Sequence, residues 1–137
     1  MYNLTLERVK ELAAEYNIIP LVSEFYGDMD TPISVFKRMA DKGESFLLES
    51  MGSSRVTSRY SFIGRNPFII FLGKGNSSET IYSDGRKETA TGNPIENLEK
   101  LISRYRAPRL DGIPSFNGGA VGFFSYDTVR LYENIPD

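Results

Sequence analysis

Apolar residues recur at helical spacing in three parts of the chain, and each part follows a residue that commonly caps a helix. Thr5 precedes the first of these, which predicts a helix over residues 6–15. Because each apolar stripe is narrow, each helix is expected to pack on a flat surface such as a sheet. The stripes are Leu6, Val9, Leu12, Ala13 and Tyr16; Ile33, Phe36, Met39 and Ala40; and Ile95, Leu98, Leu101, Ile102 and Tyr105.

The second and third helices share one opening, a capping residue followed by proline. Thr31 and Asn93 are suitable N-caps, and Pro32 and Pro94 then occupy the first helical position, where proline is favoured. Gly43 is expected to end the second helix.

Between the helices, apolar and polar residues alternate with the period of two that is typical of strands. The segment 68–72 is apolar on both faces, which predicts a central strand covered on both sides. Asp84-Gly85 is a strong turn signal and predicts a hairpin over residues 80–91. The other predicted strands span residues 18–26, 45–50, 59–64 and 117–126, and a short helix should follow over 127–131.

These elements predict an α+β fold, with a largely antiparallel sheet or sheets packed against three to four helices. With 137 residues, the chain is expected to form a single domain, or part of a longer protein, over residues 1–137. The longest stretch without a predicted element, residues 106–115, is expected to be a loop.

Composition narrows the possible functions further. The chain has neither cysteine nor histidine, which excludes disulfides, Cys or His metal sites and the common catalytic pairs that use these residues. A net charge of −2 argues against nucleic-acid binding, and no apolar run is long enough to span a membrane. The N-terminal residues lack the core of a signal peptide, so a cytoplasmic location is the default expectation.

Two glycine-containing segments resemble nucleotide-binding loops only superficially. The segment 73–78 lacks the glycine spacing and the final Gly-Lys-Ser/Thr of a phosphate-binding loop, which favours a solvated turn between strands. The run Asn117 to Gly122 lacks the dinucleotide-binding spacing, which favours close packing against a neighbouring element. Asp127 and Arg130 are three residues apart at the start of the last helix, where an ion pair on the helix surface explains both.

The residues Leu48, Glu49 and Ser50 form the strongest candidate site. A carboxylate and a hydroxyl end an apolar strand there, and Arg59 could return beside them on the next strand. Glu49 would face the ammonium of an amino acid, while Ser50 and Arg59 would face its carboxylate. The alternative from the residues alone is a Glu–Arg pair at a strand end, which contributes little to binding or stability.

An ordered set of longer motifs shows that the chain resembles the N-terminal region of anthranilate synthase component I, the large chorismate-utilising subunit. The resemblance extends almost from end to end, and the sister family, aminodeoxychorismate synthase component I, shares much of it. The sequences Phe-Leu-Leu-Glu-Ser and Arg-Tyr-Ser-Phe-Ile-Gly are more similar to those of the anthranilate enzyme. The motifs are residues 16–20, Tyr-Asn-Ile-Ile-Pro; residues 46–50, Phe-Leu-Leu-Glu-Ser; residues 59–64, Arg-Tyr-Ser-Phe-Ile-Gly; and residues 118–127, Gly-Gly-Ala-Val-Gly-Phe-Phe-Ser-Tyr-Asp.

The resemblance implies that the full-length protein makes anthranilate and pyruvate from chorismate. It implies Mg²⁺ as cofactor and a glutamine amidotransferase subunit, component II, as the source of ammonia. In the family, the catalytic and metal-binding residues lie in a longer C-terminal chorismate-binding region, so no catalytic or metal-binding residue is expected in residues 1–137. These residues alone are expected to be inactive.

The resemblance also implies the ligand of the candidate site. In the family, the Leu-Leu-Glu-Ser segment lines a feedback site for L-tryptophan, which makes Ser50 the first choice, with Glu49 and Leu48 beside it. Arg59 aligns with a basic residue associated with the same pocket, and the remaining walls come from the C-terminal region. Two alternatives stay open: the aminodeoxychorismate enzyme of the folate pathway, and a free-standing amino-acid-binding module.

The family packs the glycine-rich run against its catalytic part, so the apolar residues beside these glycines should be exposed in this chain. Such a surface tends to associate, and self-association of the chain is therefore expected. The residues concerned are Val121, Phe123, Phe124 and Tyr126.

Overall fold

The computed structural model describes residues 2–40, 43–49, 60–114 and 116–133, and its elements confirm the α+β class. Two small antiparallel sheets are present, one of strands β1-β2 and one in the order β3-β4-β5. The described helices are α1 (Leu6–Leu12), α2 (Pro32–Met39), α3 (Pro94–Ile102) and a 3₁₀ helix (Tyr126–Leu131). The described strands are β1 (Ser45–Glu49), β2 (Ser61–Arg65), β3 (Ile69–Lys74), β4 (Ser77–Tyr82) and β5 (Lys87–Thr91).

The chain divides into two compact units. The first consists of Met1–Glu24, Phe71–Glu79 and Thr89–Asp137, and the second of Phe25–Ile70 and Thr80–Glu88. Because the chain passes several times between the units, this division marks no simple boundary along the sequence, and a single domain over residues 1–137 stays a prediction.

The helix starts are where the capping signals predicted them. The Thr31 side chain accepts a hydrogen bond from Ser34 N, and the Ser34 hydroxyl accepts one from Thr31 N, which completes a capping box. The Asn93 side chain accepts from Ile95 N, and the Thr5 hydroxyl accepts from Arg8 N. Side-chain capping thus supplies partners for backbone N–H groups that the first turn of a helix leaves unpaired.

The helix ends are less well predicted. The first helix ends at Leu12 rather than at residue 15, and Ala13 already forms its C-cap. The second ends at Met39, and Ala40 has extended backbone, so Gly43 does not terminate it. A helix end depends on which carbonyls find other partners, and that is decided by tertiary packing more than by local sequence.

The prediction of a doubly covered central strand at residues 68–72 is wrong. Residues 69–72 belong to β3, which lies at an edge of the three-stranded sheet, and Phe68 and Leu72 are each 52% exposed. The central strand is β4, whose Ser78 and Thr80 are buried. An apolar run indicates where a strand can be buried, but the position of a strand in its sheet depends on long-range pairing.

Two further predicted strands are absent from the described residues. The segment 18–26 forms a single bridge, between Ser23 and Tyr2, and the segment 117–125 has a bend at residues 117–119 and no strand. Pro20 removes one backbone donor from the first segment, and three glycines in the second, Gly118, Gly119 and Gly122, weaken strand formation. The short helix predicted after the second segment is present as the 3₁₀ helix.

A small core lies in the first unit, where Leu12 of α1 and Leu101 of α3 are the buried hydrophobic residues among those described. Asn17 joins the segments that follow the two helices: its Nδ2 donates to Arg104 O at 2.7 Å, and its Oδ1 accepts from Arg106 N at 2.7 Å. The backbone N–H groups of Asn17 and Ile18 also donate to Arg106 O, each at 3.1 Å. The hydrogen bonds of Asn17 therefore hold the two segments side by side, as the backbone hydrogen bonds of paired strands would.

In the same unit, helix α3 lies against β3 and β4 at two points. Asn97 Nδ2 donates to Ser78 Oγ at 3.1 Å, so the buried hydroxyl of β4 has a partner on the helix. A Cβ built at Gly73 would lie 2.6 Å from Cβ of Pro94, so the absence of a side chain there permits the close approach of β3 to the start of α3.

Candidate functional site

The antiparallel pair of β1 and β2 positions the described part of the candidate site. Its register sets Phe46 opposite Gly64, Leu48 opposite Phe62, and Glu49 opposite Ser61. Leu48 is 45% exposed and Glu49 is exposed, so the C-terminal end of β1 is accessible to a ligand. Ser50 and Arg59, the other two predicted site residues, lie outside the described residues, and their grouping with Leu48 and Glu49 stays a prediction.

The alternation of side chains along β1 separates Leu48 from Glu49, the two predicted site residues that the structure describes. Successive side chains of a strand point to opposite faces, so Leu48 and Glu49 lie on different faces of β1. Leu48 shares its face with Phe62, the residue directly opposite, whereas Glu49 shares its face with Ser61. A ligand that contacts both Leu48 and Glu49 would therefore have to sit at the end of the strand pair rather than on one face.

Two aromatic side chains extend the Leu48 face. The ring centroids of Tyr60 and Phe62 are 6.1 Å apart with an angle of 33° between the ring planes, and Tyr60 is 48% exposed. Sequence reasoning did not assign these two rings to the site. We call Leu48, Tyr60 and Phe62 the aromatic face.

A close contact at the other end of the pair sets the position of β1 on β2. A Cβ built at Gly64 would lie 2.6 Å from Cζ of Phe46, so the phenylalanine ring occupies the space that any other residue at position 64 would need. Asn66 N donates to Glu44 O at 3.1 Å, and Arg65 donates a side-chain hydrogen bond to Met39 O at 2.8 Å. These bonds attach the end of β2 to the start of β1 and to the end of α2.

The glycine-rich segment leads to a second surface, in the first unit. Phe123 and Tyr126 are each 93% exposed, Phe124 is 66% exposed and Val121 is 39% exposed, as the sequence predicted for these four residues. An apolar groove of about 250 Å³ lies beside them, lined by Ile95, Phe124, Thr128, Val129 and Tyr132.

The remaining polar candidates have structural roles. Asp127 and Arg130 form the predicted ion pair on the 3₁₀ helix, at 3.6 Å. The segment 73–78 is a tight hairpin in which Gly75 has a φ of 57° and β3 and β4 continue on either side, so it is a turn between strands. Among the described residues, no group of three acidic side chains is placed to hold a metal ion, and no helix is long and apolar enough to cross a membrane.

The fold and these surfaces define an α+β region that presents a small aromatic face and a separate apolar surface. The comparisons with known proteins find several relatives that share one name. The chain is 42% identical over 137 residues to "Anthranilate synthase component 1" of Acetivibrio thermocellus, covering 100% of this chain and 28% of that protein. It is 38% identical over 125 residues to the protein of that name from Neisseria gonorrhoeae, covering 90% of this chain and 25% of the relative.

A more distant relative agrees. The chain is 34% identical over 137 residues to "Anthranilate synthase component 1" of Aquifex aeolicus, covering 98% of this chain and 28% of that protein. The resemblance to the N-terminal region of anthranilate synthase component I is thereby confirmed. The chain spans about a quarter of the length of these relatives. No family model and no solved structure matches the chain.

Proposed function

We propose that this chain is the N-terminal, regulatory part of an anthranilate synthase large subunit and carries part of its L-tryptophan feedback site. One observation carries the proposal: over its whole length the chain is 42% identical to a protein named "Anthranilate synthase component 1". The full-length protein would convert chorismate and ammonia to anthranilate and pyruvate with Mg²⁺. Its catalytic residues and its metal ligands would lie in sequence beyond this chain, and a glutamine amidotransferase subunit would supply the ammonia.

The exposed end of β1 supports the regulatory part of the proposal. Glu49 is an exposed carboxylate, and it forms no ion pair with any other residue that the structure describes. A carboxylate in that position can bind the ammonium group of an amino acid, and Ser50 directly after it can donate to the carboxylate. The other walls of the pocket would come from the chorismate-binding region.

A shift between two arrangements of the protein would explain feedback inhibition. L-Tryptophan bound between the regulatory part and the chorismate-binding region would stabilise one relative arrangement of these two regions over another. The size of this effect equals the difference in the free energy of tryptophan binding between the two arrangements. The arrangement that binds tryptophan would be the less active one. A chain that contains only the regulatory part would bind tryptophan weakly and would have no activity of its own.

Calorimetric titration of the intact subunit with L-tryptophan tests this proposal. We expect saturable binding that Ser50→Ala weakens and that Ser50→Phe abolishes, because the phenyl group would fill the place of the ligand. Anthranilate formation from chorismate, ammonium and Mg²⁺ should escape inhibition in the same variants. Binding that neither substitution affects would refute the assignment of Ser50.

The reaction product distinguishes anthranilate synthase from the sister enzyme, aminodeoxychorismate synthase. Anthranilate is fluorescent and aminodeoxychorismate is a different compound, so product analysis with the intact subunit separates the two reactions. The printed names of the relatives favour anthranilate. Isolation of aminodeoxychorismate instead would move the protein to the folate pathway, and a native gene product that ends near Asp137 would favour a free-standing binding module.

A further inference from the structure

The glycine-rich segment begins with Asn117-Gly118, a pair of residues that the proposed function does not use. Asn117 is the only asparagine in the sequence that precedes a glycine; the others precede serine, leucine, isoleucine or proline. Both residues are exposed and lie in a bend, outside any helix or strand. Asparagine is a thermally labile residue, because its side-chain amide can react with the backbone nitrogen of the residue that follows. The reactivity of Asn117 therefore depends on how accessible the nitrogen of Gly118 is.

We propose that Asn117 is a site of spontaneous deamidation through a succinimide formed with Gly118. The backbone nitrogen of Gly118 gives up its proton to water and bonds to Cγ of Asn117, while the Cγ–Nδ2 bond breaks and Nδ2 leaves as ammonia. Water then opens the succinimide at either of its two carbonyls and leaves aspartate or isoaspartate. One water is consumed for each ammonia released, and the reaction requires neither tryptophan nor chorismate, so it goes beyond the proposed function.

The structure leaves the attacking nitrogen accessible. Gly118 N forms no hydrogen bond with another residue that the structure describes. A Cβ built at Gly118 would meet no atom of a non-adjacent residue within 4 Å, so no neighbouring group restricts the movement of this backbone. Glycine also adopts a wider range of backbone conformations than other residues, including those that bring its nitrogen towards the preceding side chain. Exposure of Asn117 gives water access to the succinimide.

The reaction would change the structure around Asn117. Its Nδ2 donates a hydrogen bond to Pro114 O at 3.0 Å. A carboxylate only accepts hydrogen bonds, so after deamidation this bond is lost and two acceptors face each other. The product also carries one more negative charge, and isoaspartate lengthens the backbone by a methylene. Deamidation should therefore loosen the start of the glycine-rich segment.

The hairpin between β4 and β5 contains a related pair, Asp84-Gly85, that is protected. Gly85 N donates to Tyr82 O at 2.9 Å, so this nitrogen is already held by a hydrogen bond. Hydrogen bonds from the backbone N–H of Arg86 and then from its guanidinium lower the pKa of Asp84. A carboxyl group that stays ionised reacts poorly with a nitrogen nucleophile. Neither form of protection is present at Asn117 among the described residues.

Mass spectrometry of the aged protein tests the proposal. The purified 137-residue chain is kept at mildly alkaline pH, and samples taken over time are digested with a protease. We expect the peptide that contains Asn117 to change from amide to acid and to include both aspartate and isoaspartate. The rate should rise with pH, because the attacking nitrogen must lose its proton. Peptides that contain the other asparagines serve as internal controls and should keep their amides.

A matched pair of variants tests the role of Gly118. Gly118→Ala should slow the reaction by roughly an order of magnitude, because a Cβ restricts the approach of the nitrogen to Cγ. Gly122→Ala is the control, since it lies in the same segment and should react as the unaltered chain does. Neither substitution should disturb the fold, because a Cβ at either glycine would meet no atom of a non-adjacent residue within 4 Å.

The chain unfolded in urea gives the reference rate, and the folded chain should react at a comparable rate. A folded chain that keeps its amide while the unfolded chain reacts would overturn the proposal, as would equal rates in Gly118→Ala and Gly122→Ala. Aspartate without isoaspartate would also overturn it, because direct hydrolysis of the side chain forms no succinimide. None of these results bears on the proposed function, which tryptophan binding by the intact subunit tests separately.

Discussion

At the scale of single residues, Gly64 shows how one missing side chain sets the geometry of a site. Its partner Phe46 places a ring where a Cβ would be, with Cζ 2.6 Å from that position. Any larger residue must displace the ring or separate the strands, and crowding of this kind typically costs about 1–3 kcal/mol. The same strand pair leads to Leu48 and Glu49, so the effect should extend to the proposed ligand site.

We therefore expect Gly64→Ala to lower the free energy of unfolding by about 1–2 kcal/mol, measured by urea denaturation followed by circular dichroism. Phe46→Leu in the same chain should recover part of the loss, because the smaller side chain leaves room for the new methyl group. Gly27→Ala is the control: a Cβ there would meet no atom within 4 Å. A Gly64→Ala chain as stable as the control would show that the ring moves aside without cost.

Asp30 is one of the described carboxyl groups whose pKa is shifted by hydrogen bonds. Hydrogen bonds from Arg38 first, and then from Ser34, lower the pKa of Asp30 below its usual 3.8. A carboxyl whose pKa is lower in the folded than in the unfolded chain stabilises the fold above the unfolded value, and this contribution disappears as the pH falls through the folded value.

Asp30→Asn should accordingly destabilise the chain at neutral pH and have no effect once the pH is well below 3.8. Thermal unfolding across that range measures the difference. Asp28→Asn serves as control, since Asp28 lies in the same turn and has no ion pair with another described residue. A difference between Asp30→Asn and the unaltered chain that persists at the lowest pH would contradict the assignment.

At the scale of elements, the starts of α2 and α3 and the β4–β5 hairpin were predictable because each depends on neighbouring residues. Thr31 and Pro32 form the cap and first turn of α2, and Gly85 has the positive φ of 86° that the hairpin turn requires. The position of a strand within its sheet, in contrast, depends on distant residues. The segment 68–72 has the composition of a central strand, but its place at the sheet edge follows from pairing with β4.

The candidate site, too, has features that the local sequence predicts and features that it does not. Local alternation predicted β1, and this prediction is confirmed. The register between β1 and β2, which brings Phe62 opposite Leu48, is a long-range property that periodicity in one strand does not contain. The aromatic face could therefore be described only once that register was known.

The capping box of α2 provides the test at this scale. Thr31→Ala removes the acceptor for Ser34 N, which lies 3.1 Å from the Thr31 hydroxyl, and should cost about 1 kcal/mol of stability. Thr31→Ser is the matched control, because it keeps the hydroxyl and hence the cap. Chemical denaturation of the two variants gives the comparison, and equal losses in both would mean that the methyl group of Thr31, and not its hydroxyl, stabilises the helix.

At the scale of the whole molecule, the chain exposes large apolar side chains that a self-sufficient domain would cover. Phe123 and Tyr126, each 93% exposed, and Phe124, at 66%, follow one another closely beside the apolar groove. Single exposed apolar residues are common on proteins, but adjacent ones usually mark a surface that meets another part of the protein or another molecule. Relatives about three and a half times as long as this chain have additional sequence that can cover it.

Without that additional sequence, this surface should drive self-association of the chain. We expect light scattering to show dimers or larger species whose proportion rises with concentration. Phe123→Ser should shift the population towards the monomer, because it removes a large apolar side chain from the centre of the patch. Leu21→Ser is the control: Leu21 is 55% exposed but lies in a different segment of the same unit. A chain that stays monomeric at high concentration, or two variants that behave alike, would show that the exposed segment is not the surface of association.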